Sequence, residues 1–481
     1  MTFKNIKIYF CLTGLLLLFC TSCKKLISIP DPVDTTTTNK VFATDNQATS
    51  AMAGVYSIMI NSTSVGASAY SSFSSGYSTV LGGVSSDELK TLTVDLFGTN
   101  KLTRDNSPVV LWTSAYKAIY GVNDVIEGIE ASTSQGLTAK ARKRLTGEAK
   151  FIRAFTYFYL VNFFGDVPLV LTVDFNQTVQ MQRMPSAEVY KQIIKDLEEA
   201  KALLGTDFSN SKTGERIIPN KWAATAMLAR VYLYTGDYTN AAAQAGEVID
   251  QAGLFQLKED LNEVFLMNST EAIWQLQQND PSAIKGRSTP EGFTLLPDVS
   301  LGSIYPLRFT DELLQVFEND DKRLKDWTIT YMRDGEKAYV PYKYKKGGDQ
   351  ISKDSPITEY YMVLRLAEQY LIRAEARTLN GGPLGLAIDD LNVIRRRAGV
   401  ENLPATLSRA EVIAAIEKER RTELFVEWGH RWFDLKRTGR AHDVLSAIPA
   451  KQPWAGDYQL LYPIPLTEIS ANNKLSQNPG Y

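Results

Sequence analysis

Histidine is nearly absent from these 481 residues: only His430 and His442 occur, and the three cysteines, Cys11, Cys20 and Cys23, all lie close to the start. With so few soft ligands, the spacing patterns of zinc sites cannot be assembled. A Ser-His-Asp triad would have to use one of the two histidines. His430 sits inside the dense stretch "EWGHRWFDLKR", and no G-x-S-x-G element occurs anywhere in the chain. Charge of one sign is also missing, since 52 Lys and Arg balance 54 Asp and Glu to a net −2. That balance gives no overall reason to bind nucleic acid or an anionic surface. The triple arginine at 395–397 is too short to argue otherwise; its stems are expected to cover a neighbouring hairpin. No apolar run approaches the roughly 20 residues needed to span a bilayer, and no EF-hand pattern appears. No catalytic residue, metal ligand or cofactor is therefore nominated.

What is present begins with a leader. Lys4 and Lys7 precede an apolar run from Ile8 to Phe19, the arrangement of a signal peptide. Thr21 and Ser22 then stand before Cys23, in an order similar to a bacterial lipobox, with Cys20 where leucine is usual. Cleavage after Ser22 would leave Cys23 with no partner, and a lone thiol has no structural task in an oxidising compartment. The alternative is a soluble secreted protein with an incidental cysteine. The favoured expectation is a signal peptide over 1–22, lipid attached to Cys23, and a Pro/Thr-rich tether over 23–44. Each buried methylene of an acyl chain contributes about 0.8 kcal/mol, so several chains hold a protein to a membrane.

Beyond the tether the pattern is helical. Ala48, Met52, Val55, Tyr56 and Met59 recur at helical spacing, as do Trp112, Tyr116, Ile119, Tyr120 and Ile126. In "FIRAFTYFYLVNFF" apolar residues lie on most sides, which predicts a central helix ended by "GDVP". Leu228, Ala229, Tyr232 and Ala241 fall in register with part of the tetratricopeptide template, with "TGDY" as the hairpin turn. Met362, Leu366, Tyr370 and Ala374 form another stripe, and Ser408 with Glu411 forms a capping box. Between 254 and 358 periodicity is weak and aromatics are frequent, which predicts loops with short strands.

Seven segments in this order resemble the SusD/RagB family of outer-membrane nutrient-binding lipoproteins. They are "TTTTNKVFATDNQATSAMAGVYS", "AKFIRAFTYFYLVNFFGDVPLV", "NKWAATAMLARVYLYTGDYTNAA", "YMVLRLAEQYLIRAEA", "DLNVIRRRAG", "ERRTELFVEWGHRWFDLKR" and "LYPIPLTEISANNKLSQNPGY". The resemblance implies a mainly α fold, with four tetratricopeptide-like hairpins supporting a loop-rich ligand-binding half. It also implies a partner, a SusC-like TonB-dependent outer-membrane barrel, and non-catalytic delivery of a glycan or other nutrient at the cell surface. A helical-repeat scaffold organising an outer-membrane complex, without a small ligand, is the competing expectation. The scaffold is expected over 45–60, 107–255 and 359–437, and variable loops over 61–106 and 256–358.

Sugars present apolar C–H faces and a rim of hydroxyls, which flat aromatic rings and nearby polar groups can read. By region, the nominees are Tyr70, Tyr77, Phe97, Asn100, Tyr305, Trp327 and Tyr339. Glu419, Glu423 and Glu427, spaced by four, would place three carboxylates on one helical face and so mimic a glycosidase pair. The arginines crowding the same stretch favour structural salt bridges instead. Asp87 and Glu88 are adjacent, so on a regular element they point apart.

Overall fold

The structure is a computed structural model that describes residues 38–60, 72–91, 95–211, 213–278, 284–296, 307–333, 336–347, 351–352 and 354–481. The leader, Cys23, Tyr70 and Tyr305 lie outside the described residues. The expected tether gives way to folded chain before residue 44. Thr38–Val41 is helical, and Phe42 is buried against Gly128, where any Cβ would collide with its ring.

The helical scaffold follows the apolar spacing. Helix α1 (Asp45–Ile60) buries Ala48, Met52, Val55 and Met59. Helix α2 (Ser78–Ser85) precedes α3 (Val109–Ala131) and α4 (Ala139–Phe164). Tyr120 is 59% exposed although it belongs to the expected stripe of α3. It stands about 100° round the helix from buried Ile119, at the edge of the face. Helix α4 is the central one. Thr138 caps its start by accepting from Ala141 N at 3.2 Å, and Gly165 at φ +74° ends it. From Phe151 to Phe164 nearly every side chain is buried, with Phe155 edge-on to Trp274 at 5.3 Å and to Trp428 at 5.4 Å.

Helices α5 (Ser186–Leu203), α6 (Lys221–Tyr234) and α7 (Tyr238–Ile249) continue the array, each packing on the next. The tetratricopeptide register holds: Leu228, Ala229, Tyr232 and Ala241 are buried on either side of the short α6–α7 turn. Helices α8 (Leu366–Leu379) and α9 (Leu384–Ala398) form a further hairpin, followed by α10 (Arg409–Glu423) and α11 (His430–Arg437). The capping box forms as the sequence predicts, with Ser408 N donating to Glu411 Oε2 at 2.7 Å. Helices of this length joined by short turns pack antiparallel.

Three two-stranded antiparallel sheets and several short helices accompany this array among the described residues. Strands β1 (Leu89–Thr91), β2 (Ala272–Leu276), β3 (Leu307–Phe309), β4 (Thr328–Arg333), β5 (Glu336–Pro341) and β6 (Tyr361–Arg365) pair as β1–β3, β2–β6 and β4–β5. Met362, assigned to a helical stripe by its spacing, lies on β6. Pairing with β2 holds "YMVLR" extended, and α8 begins only at Leu366.

Residues 73–85 depart from the expected loop. A single π-helical turn, Phe73–Tyr77, runs into α2, and nearly all of it is buried. The Ser/Gly composition that reads as a turn signal here permits backbone contact. A Cβ on Gly82 would sit 2.5 Å from the Cα of Gly429, at the start of α11. Gly82→Ala is therefore expected to destabilise by about 1–3 kcal/mol through overpacking, read as a lower urea midpoint at unchanged m-value.

Candidate functional site

The described flanks of the two loop-rich regions, over 200 residues apart in sequence, meet in space. Strand β1 pairs with β3 in the register Leu89↔Phe309, Lys90↔Arg308 and Thr91↔Leu307. Thr310 N donates to Glu88 O at 3.0 Å, and Lys90 pairs with Asp311 at 3.2 Å. Beneath them Glu291 accepts from Thr79 Oγ1 at 2.5 Å and from Tyr361 OH at 2.8 Å. Burial pushes the Glu291 carboxyl up to about 8 despite these bonds, so it is protonated at neutral pH. A neutral, hydrogen-bonded acid is a structural tie between the two regions.

The nominees divide by their surroundings. Trp327 is fully buried, with its indole N–H donating to Leu261 O at 2.9 Å and its ring edge-on to Phe265 at 5.6 Å. It presents no face to solvent, so the expectation of an exposed platform is corrected to a core residue. Asn100 is likewise buried, at φ +54°. Its Nδ2 donates to Ser85 O at 3.2 Å and its Oδ1 accepts from Lys451 Nζ at 2.7 Å. Both polar atoms of its side chain are spent within the fold, so the expectation of a solvent-facing polar group is corrected. Lys451 also donates to Ser85 O and Gly98 O at 3.0 and 2.9 Å, and burial lowers its ammonium to about 8. Phe97 is half-buried, edge-on to Tyr462 at 5.6 Å. Tyr77 is half-buried at the end of the π-helical turn.

Tyr339 is placed differently. It stands on β5 opposite Thr330 of β4, half-buried, with Lys337 Nζ 5.0 Å from its ring centroid. It borders an open groove of about 690 Å³ whose other walls carry Glu318, Asp320, Lys322, Lys325, Thr328 and Thr330. Hydrogen bonds from Arg395, at 2.8 and 3.0 Å, and the nearby Lys418, at 2.9 Å, hold Glu318 down at about 2. A ring face beside a fixed carboxylate, ammonium groups and hydroxyls has the chemistry that a polyhydroxylated ring requires. The polar members of this groove were missed in the sequence. Two alternating runs flanking Asp334-Gly335 announce the hairpin that carries Tyr339, but no spacing announces Glu318 or Asp320.

The carboxylate trio is not one helical face. Helix α10 stops at Glu423, and Val426, Trp428 and Gly429 all take positive φ, so Glu427 leaves the helix before α11 starts. All three are nevertheless drawn into one buried ionic network. Glu423 accepts from Arg365 at 2.6 Å and from Arg397, with Arg323 at 3.3 Å. Glu419 accepts from Arg323 at 2.5 Å and Arg395 at 3.1 Å, while Glu427 accepts from Arg365 at 2.8 Å and Lys343 at 2.5 Å. Burial alone would raise Glu423, but the guanidiniums of Arg397, Arg365 and Arg323 overcome it and hold the carboxyl far below its usual range. Locked, ionised and without access to solvent, these groups are structural. His430 is also enclosed, and burial lowers it to about 4, so it is neutral. Asp87 is held by Arg431 at 2.8 and 2.9 Å. Among the described residues no group of three His, Cys, Asp or Glu is arranged to hold a metal ion, and no helix is long and apolar enough to cross a membrane.

A stacked array of helical hairpins with a polar groove beside β4 and β5 is an architecture of the SusD type. Residues 37–233 match the family described as starch-binding and associating with the outer membrane, and residues 330–481 match the SusD family. The chain belongs to the SusD/RagB family. It is 27% identical over 431 residues to SusD-like protein P2 of Formosa agariphila, covering 78% of this chain and 81% of that one. It is 25% identical to the starch-binding protein SusD of Bacteroides thetaiotaomicron, covering 72% and 75%. Among solved structures, a SusD superfamily protein from Bacteroides vulgatus superposes with a TM-score of 0.77 at 22% identity, over 92% of this chain and all of that one. A laminarin-binding SusD-like protein superposes with a TM-score of 0.71 at 25% identity, over the same shares.

Proposed function

We propose that this protein binds an oligosaccharide or similar nutrient in the groove beside Tyr339 and passes it, uncleaved, to a SusC-like TonB-dependent barrel. In this reading acyl chains on Cys23 moor it to the outer membrane, facing outward. The single observation that carries the binding reading is the Tyr339 ring set beside Glu318, Asp320 and Thr330 on an open face. The absence of cleavage is supported by the arginine and lysine partners of Glu419, Glu423 and Glu427, which leave those carboxylates no role as acid or nucleophile. The names of relatives, one starch-binding and one laminarin-binding, make α- and β-glucans the first members of a test panel.

Calorimetry and affinity electrophoresis against that panel are expected to give at least one glycan whose binding weakens about three- to tenfold in Tyr339→Ala, the loss of one aromatic stacking contact. Silence across the panel from correctly folded protein would favour the scaffold reading. Mass analysis of native protein is expected to find Cys23 acylated, and purification from intact outer membrane to retain a barrel.

A further inference from the structure

Lys451 is buried, with 3% of the residue exposed, and its ammonium meets only neutral oxygens among the described residues. Asn100 Oδ1 lies at 2.7 Å, Gly98 O at 2.9 Å, Ser85 O at 3.0 Å and Val84 O at 3.4 Å. A buried charge is ordinarily either paired with one of opposite sign or coordinated as an ion. The surroundings of this ammonium are of the second kind.

Each oxygen is held in place without the lysine. Val84 and Ser85 occupy the last turn of α2, whose carbonyls lack intrahelical donors and form the negative end of the helix dipole. Gly98 and Asn100 belong to a turn that fastens itself. Gly98 N donates to Asp95 Oδ1 at 2.7 Å, Thr99 N to Asp95 O at 3.1 Å and Lys101 N to Leu96 O at 2.9 Å. Asn100 takes a positive φ, and its Nδ2 donates to Ser85 O at 3.2 Å, which turns Oδ1 toward the ammonium. Such orienting bonds are what fix the ligands of metal sites. Two further ties join this turn to the C-terminal segment without passing through the Lys451 side chain. Lys101 Nζ donates to Gln452 O at 2.9 Å, and Gln459 Nε2 donates to Asn100 O.

We infer that these four oxygens form a monovalent-cation site, which the chain fills with a cation carried on its own Lys451 side chain. Distances and charge select the class of ion. The three closest oxygens stand 2.7–3.0 Å from the ammonium nitrogen. Magnesium requires about 2.0–2.1 Å and calcium about 2.3–2.6 Å, and both favour carboxylates, which this cage lacks. Carbonyl oxygens are the groups that replace the hydration shell of potassium in selectivity filters. Once the lysine side chain is cut back, a free potassium or ammonium ion takes its place. The inference is independent of the glycan reading.

Thermal unfolding of the full chain in different chloride salts of equal ionic strength tests it. Lys451→Ala opens the cage, and Lys451→Met keeps the path of the stem filled with an uncharged chain. About 200 mM potassium or ammonium, compared with choline, is expected to raise the midpoint of Lys451→Ala by about 2–5 °C, the effect of a ligand well above its Kd. Wild type and Lys451→Met should not respond, because the site is occupied in one and blocked in the other. Where Lys451→Ala is too unstable to melt, the refolded yield in each salt gives the same comparison. Equal behaviour of Lys451→Ala in all salts overturns the inference, whether the variant is folded or unfolded in every one. A shift of the same size in wild type or Lys451→Met also overturns it, because the ions would then act elsewhere. So does a larger gain from calcium than from potassium, which would require carboxylate ligands.

Discussion

Glu423→Ala is expected to cost the fold about 3–5 kcal/mol, the usual penalty for removing one partner from a buried ionic network. Five carboxylates, from Glu271, Asp321, Glu419, Glu423 and Glu427, face the cations of Arg323, Lys343, Arg365, Arg395 and Arg397. Glu318 and Lys418 add one charge of each sign at the edge. The network is neutral only while every member is present, and Glu423 meets three of the guanidiniums. Chemical denaturation at neutral pH measures the loss. Glu423→Gln, which keeps the shape, should recover only a small part of it. The sign with pH follows from the depressed carboxyl. Its stabilisation is fully present above the unfolded value, about 4.3, and is lost as pH falls below that toward the folded value. Wild-type stability should therefore fall by up to about 1.4 kcal/mol per pH unit from this group below pH ~4.5, and the Ala variant should lack that component.

Trp327→Ala is expected to cost a similar 3–5 kcal/mol, the range for emptying a large aromatic site in a core. The indole fills the space between Phe265 and Phe425, with Lys343 Nζ 4.7 Å from its ring centroid. Removing it deletes packing, leaves Leu261 O with only the longer bond from Val264 N at 3.4 Å, and strips a cation–π face from a buried ammonium already lowered by burial to about 8. Trp327→Phe retains most of the packing and loses the N–H donor, for about 1–3 kcal/mol. The folded Phe variant should bind glycan as wild type does. Selective loss of glycan binding at unchanged stability would return Trp327 to the ligand face.

The scaffold was legible because burial on a helix repeats along the chain. Ala48, Met52, Val55 and Met59 needed only their spacing, and α4 announced its central place by lacking a polar side. Residues 73–85 were not legible, because Ser and Gly that let α2 approach Gly429 look the same as Ser and Gly in a turn. Met362 failed for another reason: its helical spacing was overruled by pairing with Gln275 on a strand far away in sequence. For the site, the hairpin bearing Tyr339 was within reach of the pattern, whereas Trp327 and Asn100 were nominated by region alone. An aromatic or amide in a Gly-rich stretch can turn outward to solvent or inward to its own loop, and one sequence carries no signal for the choice. The arginine crowding around Glu423 did carry one, since so many charges on a short stretch with apolar neighbours need partners of opposite sign.

Glu318 has a consequence for how a guest is received. Its carboxylate is gripped by both terminal nitrogens of Arg395, which is itself fastened to Glu419 inside the scaffold. A molecule entering from solvent therefore meets an acceptor whose torsional freedom was surrendered when the chain folded, and is spared roughly 0.5–1.5 kcal/mol of immobilisation entropy for that side chain. Rigidity at the mouth is thus inherited from the buried Arg395–Glu419 pair to which this carboxylate is chained.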